Sequence, residues 1–136
     1  MTTKYFVCDD VDLYRFNSYY GFESWGRFDY KRRKWVPILD EEPDVDAMHE
    51  IERKQMWLTM DVDSEYEDFV KSDDFKYNFN NIIKGLRFSN EVEYPLMRVS
   101  SWDRFDDLQL EFFARYFTEI GYEAILCGFG ITVRAV

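Results

Sequence analysis

His49, Glu50 and Arg53 are the first residues of this chain whose types and spacing could carry out a reaction. A helical His-Glu-x-x-His pair holds zinc between imidazoles one turn apart and uses the carboxylate as a base. Here Arg53 stands at the second imidazole position, and His49 is the single histidine. Neither that zinc site nor a histidine triad can form, and His49 reads as a surface helix residue. Asp61-Val62-Asp63-Ser64-Glu65 opens like a calcium loop, but Tyr66 replaces the glycine needed at the sixth position and Ser72 the bidentate glutamate needed at the twelfth. An EF-hand is excluded, which leaves a weak cation site among these carboxylates or a plain solvated face. Carboxylate pairs abound, yet acid–base catalysis needs one member desolvated, and no spacing singles one out. Gly128-Phe129-Gly130 leads into Ile131-Thr132-Val133, a strand and not the helix start on which a phosphate loop depends. The chain reads as a non-enzyme with no catalytic residue, metal or cofactor.

Two charge clusters remain. Lys31-Arg32-Arg33-Lys34 is the basic one, flanked by Trp25, Tyr30 and Trp35. Cations on a tight turn beside aromatic rings could grip phosphates and stack bases, but the overall charge of −10 would repel a polyanion. A solvated turn is the stronger expectation, and direct nucleic-acid binding is not expected. The acidic cluster is larger: segment 40–74 holds fourteen acids against three bases, while the flanks stand at +2 before it and −1 after it. Its candidate contact residues are Glu41, Glu42, Asp44, Asp46, Asp61, Asp63, Glu65, Glu67, Asp68, Asp73 and Asp74. On a continuous helix the seven carboxylates of 61–74 would space one charge per ~3 Å, close to the ~3.4 Å per phosphate of one DNA strand. Asp61, Glu65 and Asp68 would then fall within about 60° of one another. The plain alternative is a face that keeps the chain solvated. The sharper one is a surface that copies nucleic-acid charge and fills the basic groove of a nucleic-acid-binding protein.

The elements that must carry these clusters follow from periodicity. At 136 residues with 20% aromatics the chain can bury a core and is not a disordered acidic tail. Residues 4–8 and 13–17 read as strands around an Asp9–Asp12 turn, and 22–30 and 33–38 as a hairpin turning near Lys31–Arg32, with Pro37 at an end or edge. Residues 40–44 read as a linker. Val45, Met48 and Ile51 predict a helix to about Gln55, and 56–62 a strand. Ser64 with Glu67 predicts a capping box, and Ser72-Asp73-Asp74 a second helix start. Phe75, Phe79, Ile82, Ile83 and Leu86 form the stripe of that second helix, closed by Gly85. Residues 92–99 return to strand. Ser100 with Asp103 opens a helix over 103–120, apolar around roughly 200° of its wheel. Gly121 ends it, and the last fifteen residues give a broken strand or hairpin bent at Gly128 and Gly130. The class is α+β: a single domain over 1–136 whose mostly antiparallel sheet has helices packed on one face. Within it, 1–39 is an aromatic hairpin region, 40–74 the acidic segment and 75–136 a helix-strand-helix-strand core.

The run LYRF, an aromatic strand and then FDYKRRKWVPI is similar to a small hairpin module of uncharacterised proteins from Gram-positive bacteria and their phages. That resemblance covers about 35 residues. In composition the whole chain resembles the small acidic anti-restriction and anti-CRISPR proteins of phages and mobile elements. It implies an inhibitor that docks its acidic face on a nucleic-acid-handling enzyme. Two alternatives stand beside it: an accessory module using the basic turn and aromatic hairpin for nucleic acid or a small ligand, and an immunity protein for a nuclease toxin. Cys8 and Cys127 each lie in an apolar run and read as buried free thiols, or as a bridge if their strands are neighbours. No apolar run approaches the ~20 residues of a membrane span, and the N-terminus lacks a signal peptide's apolar segment. The expected location is the cytoplasm, the host's if the chain is phage-encoded.

Overall fold

The computed structural model describes residues 2–39 and 43–136. Their contacts fall into two compact units, Met1–Val62 and Asp63–Val136, so the division lies inside the acidic segment.

The first unit is a five-stranded antiparallel sheet in the order β4-β3-β2-β1-β5. Its strands are β1 (Thr2–Cys8), β2 (Asp12–Tyr19), β3 (Phe22–Asp29), β4 (Lys34–Pro37) and β5 (His49–Ile51). Tight turns close the hairpins. Asp9 and Asp10 take φ of 53° and 62°, a left-handed pair that short acidic side chains tolerate and that matches strand twist. Tyr20 and Gly21 do the same between β2 and β3. The register Val7↔Leu13 and Phe28↔Trp35 places these four buried side chains on one face. Helix α1 (Arg53–Met60) packs against β1 and buries Met56, Trp57 and Met60. Strand alternation sends Phe6, Phe16 and Trp25 to the opposite face, where their rings meet at 5.0–5.3 Å.

The second unit contains α2 (Asp63–Phe69), α3 (Asp73–Leu86), β6 (Glu91–Pro95), α4 (Asp107–Glu119), β7 (Glu123–Cys127) and β8 (Gly130–Arg134). Its three strands pair antiparallel in the order β6-β8-β7, with Pro95 on an edge strand, where a missing N–H costs no ladder bond. Helix α4 packs on β7 and β8, and α3 on β6. Phe69 gathers Phe75, Phe105, Phe112 and Phe113 within 5.7 Å. Phe113 and Phe117 are fully buried, as the width of the apolar stripe on α4 requires.

The α+β class, the four N-terminal strands, the Ser72 start of α3 and the C-terminal hairpin match expectation. Several local expectations do not. The helix expected over 45–55 does not form there: a 3-10 turn at Val45–Ala47 leads into β5, which pairs with β1, and helix begins only at Arg53. Residues 56–62 are not a strand, because Met56, Trp57 and Met60 line one side of α1, and Asp61 closes that helix in the left-handed region. Ser64 lies inside α2 and caps nothing. The capping box sits instead at Asp106 and Gln109, so α4 begins one turn later than Ser100 and Asp103 suggested. Gly85 is not the cap but the penultimate residue of α3, kept small by Val92, whose Cγ2 would lie 2.8 Å from an added Cβ, and Arg87 is the C-cap. Both cysteines are free, Cys8 half-buried and Cys127 exposed, so neither the bridge nor a second buried thiol forms.

Candidate functional site

Helix α2 is short and holds on by aromatic side chains. Tyr66 is buried against Phe112, with ring centroids 5.4 Å apart, and Phe69 reaches the cluster described above. Arg115 of α4 locks the arrangement. Its guanidinium lies 4.2 Å from the Tyr66 ring centroid and donates to Asp63 Oδ1 at 2.8 Å and Glu119 Oε1 at 2.9 Å. Burial alone would lower the Arg115 pKa, but the bonds to these two carboxylates outweigh it and raise it. Tyr66 Oη donates to Glu119 Oε2 at 3.1 Å, and burial followed by that carboxylate pushes the phenol upward.

With Tyr66 and Phe69 turned inward, Asp63, Glu65, Glu67 and Asp68 are all exposed. Asp63 and Glu65 occupy the first turn, where the helix dipole favours a carboxylate. Glu67 and Asp68 lie in the second half, which has no basic residue in its last turn. There the dipole opposes them, and Glu67 also faces Asp63 one turn earlier, a like-charge pair costing a few tenths of a kcal/mol. After the Phe69–Ser72 turn, Asp73 opens α3 and is exposed. Among the described residues no ion pair takes up Glu67, Asp68 or Asp73.

Not every acid of the segment belongs to this surface. Asp74 is structural: its Oδ1 accepts from Val99 N at 2.8 Å. Asp44 caps the 3-10 turn by accepting from Asp46 N, and Asp46 is exposed. Asp61 belongs to the first unit, while Asp63 begins the second. Glu41 and Glu42 lie outside the described residues. The segment 61–74 is therefore not one helix with evenly spaced charge; a left-handed cap at Asp61 and a turn at 70–72 break it. Among the described residues no three His, Cys, Asp or Glu side chains gather closely enough to hold a metal ion.

The basic turn is organised by Asp29. Its Oδ1 accepts from Lys31 N at 2.9 Å and Arg32 N at 3.1 Å, and its Oδ2 lies 3.7 Å from Arg32 Nε. The backbone N–H of Arg32 is the first cause holding the Asp29 carboxyl below its ordinary pKa. Lys31, Arg32 and Lys34 are exposed. Beside them opens a cleft of about 780 Å³ lined by the Arg27–Asp12 ion pair, Phe28, Tyr30, Val36 and Leu39. The Cys8 thiol is pushed up by burial and then by Asp9 and Asp12, which disfavours the nucleophilic thiolate.

One residue of the second unit stands apart from any sequence expectation. Trp102, in the loop between β6 and α4, is 67% exposed and takes φ of 57°. A bulky side chain in the left-handed region is a steric outlier. The signal in the sequence was weak: Trp102 sits off the apolar stripe of α4, between Ser100-Ser101 and Asp103.

The molecule is thus an α+β protein that presents carboxylates from two helices of an aromatic-cored unit. No family model, curated protein or solved structure matches the chain. Among the described residues no helix is long and apolar enough to cross a membrane.

Proposed function

We propose that this chain is a non-enzymatic, protein-binding inhibitor. Its acidic surface on α2 and the first turn of α3 occupies a basic groove of a nucleic-acid-handling protein in the cytoplasm. The kind of role is that of phage anti-defence proteins, with immunity against a nuclease toxin as the variant using the same physics. The observation that carries the proposal is the placement of Glu67 and Asp68. They stand in the half of α2 where the dipole opposes them, Glu67 also one turn from Asp63, and neither enters an ion pair among the described residues. A carboxylate that costs stability and returns no intramolecular bond is accounted for by a cationic partner.

The test is capture from bacterial lysate by the wild type and by the Glu67→Lys/Asp68→Lys/Asp73→Lys variant, with the retained protein identified. Exposed charge changes usually move stability by about ±0.5 kcal/mol, so the variant should melt close to the wild type. Binding should fall steeply with salt, be blocked by DNA or RNA loaded on the partner, and be lost in the variant. Equal retention by both proteins would refute the proposal.

The cleft beside the basic turn favours a second reading, an accessory module that takes an anionic ligand there. Replacing Lys31, Arg32, Arg33 and Lys34 with Ser separates the two: retention should persist under the first proposal and vanish under the second.

A further inference from the structure

The loop that carries Trp102 is clipped to the acidic helices at both ends. At its start Val99 N donates to Asp74 in the first turn of α3, and Asn78 of α3 brackets Met97, accepting from its N–H and donating to its carbonyl. At its end the Phe105 ring packs on Phe69, the last residue of α2, at 5.7 Å. Between these clips Arg98 N donates to the Asp103 carbonyl at 2.9 Å and Trp102 N to the Arg98 carbonyl at 2.8 Å, while Arg98 Nη2 reaches Gln109 of α4. The loop is therefore a fixed platform, and its exposed large hydrophobic side chain is an indole.

Folding gives no reason for that indole. With two thirds of its surface in water, Trp102 adds little to the core, and its left-handed backbone would suit glycine better. Exposed tryptophans on rigid supports are typical anchors of protein interfaces, enriched where binding energy concentrates. Resting on the proposal above, we infer that Trp102 is the apolar anchor of the acidic surface. Its role would be that of an unstacked base, with Glu67, Asp68 and Asp73 in the role of phosphates. The partner so defined has a groove with cations for a backbone and an aromatic or arginine-faced slot for a base, the equipment of a single-strand or flipped-base binder. A groove that reads only duplex backbone has no such slot.

The test uses the full chain as wild type, Trp102→Gly, Trp102→Phe and the triple lysine variant, with the partner retained in the lysate experiment and two probes of equal length. One probe is a single-stranded oligonucleotide; the other is its fully abasic counterpart, with the same phosphates. Glycine accepts the left-handed backbone, so Trp102→Gly should melt no lower than the wild type yet bind at least about tenfold more weakly with its salt dependence retained. Trp102→Phe should recover most of the affinity. The base-bearing oligonucleotide should displace either protein at lower concentration than the abasic one, and Trp102→Gly, the weaker binder, should yield to both probes at lower concentration than the wild type. If Trp102→Gly binds as tightly as the wild type, or the abasic probe competes equally well against the wild type, Trp102 is not a base substitute. The acidic surface would survive that result, because only the triple variant tests it. If no partner is retained in a salt-dependent way, the acidic surface fails and this inference falls with it.

Discussion

At the scale of single residues, the polar side chains that matter most for folding are not the numerous ones. Asn78 is 1% exposed and satisfies three backbone contacts: the carbonyls of Asp74 and Met97 and the N–H of Met97. Asn78→Ala strands those groups, and an unsatisfied buried polar group costs about 1–3 kcal/mol. Urea unfolding should show a loss of that size, whereas Asp73→Asn, at an exposed carboxylate with no ion pair among the described residues, should stay within about 0.5 kcal/mol. Asp29 gives a prediction in pH. Its folded pKa lies below the ordinary value, so its contribution is fully present above the unfolded carboxyl's pKa and lost as pH falls through the folded one. Compared with the wild type between pH 6 and pH 2, Asp29→Asn should lack that part of the acid-induced loss. Parallel stability curves for the two proteins would show that the turn does not depend on this carboxylate.

Among the elements, the contact of α3 with β6 is the most closely fitted. Glycine inside a helix normally costs about 1 kcal/mol relative to alanine, so Gly85→Ala would stabilise an ordinary helix. Here the new Cβ would meet Val92 Cγ2 at 2.8 Å and Cγ1 at 3.3 Å, and a β-branched side chain has little rotamer freedom to yield. Overpacking costs about 1–3 kcal/mol, so the substitution should be neutral to destabilising, with Val92→Ala restoring the helix gain in the double variant. A clear rise in melting temperature for Gly85→Ala alone would contradict this packing. On α4, Phe113→Ala or Phe117→Ala should cost about 3–5 kcal/mol, read by the same unfolding curves. These two helices were legible because their stripes repeat over three turns or more. Residues 45–62 were not, since Met56, Leu58 and Met60 fit an alternation as well as Met56, Trp57 and Met60 fit a helix side. What decides between them is the free edge of β1, which recruits His49–Ile51 and leaves the next residues to coil into α1. The acidic residues were legible as a composition but not as a surface. Nothing in the order of the letters shows that Asp74 turns to a backbone N–H, that Asp63 is claimed by Arg115, or that Trp102 stays in water.

For the molecule as a whole, charge separates stability from binding. Internal ion pairs such as Arg27–Asp12, Arg134–Glu91 and Arg115–Asp63 each have at least one partner half exposed or nearly so, and such pairs contribute about 0–1 kcal/mol apiece. Against them stands a net charge of −10, whose self-repulsion opposes the compact state. Raising ionic strength from about 0.1 M to 1 M shortens the screening length from about 10 Å to about 3 Å, which relieves the repulsion more than it weakens a few close pairs. The wild type should therefore gain thermal stability with salt, by about 2–4 °C for a gain near 1 kcal/mol. Reversing Glu67, Asp68 and Asp73 to Lys adds two charges at each position and takes the net charge from −10 to −4, so the variant should gain less. Binding to a cationic groove must run the other way, because the same screening weakens the attraction that guides and holds the partner. Opposite salt responses of melting and binding, both diminished by the same three substitutions, are what a surface built for a partner requires. If melting temperature falls with salt in the wild type, the carboxylates serve internal pairs, and the case for an external cationic partner collapses.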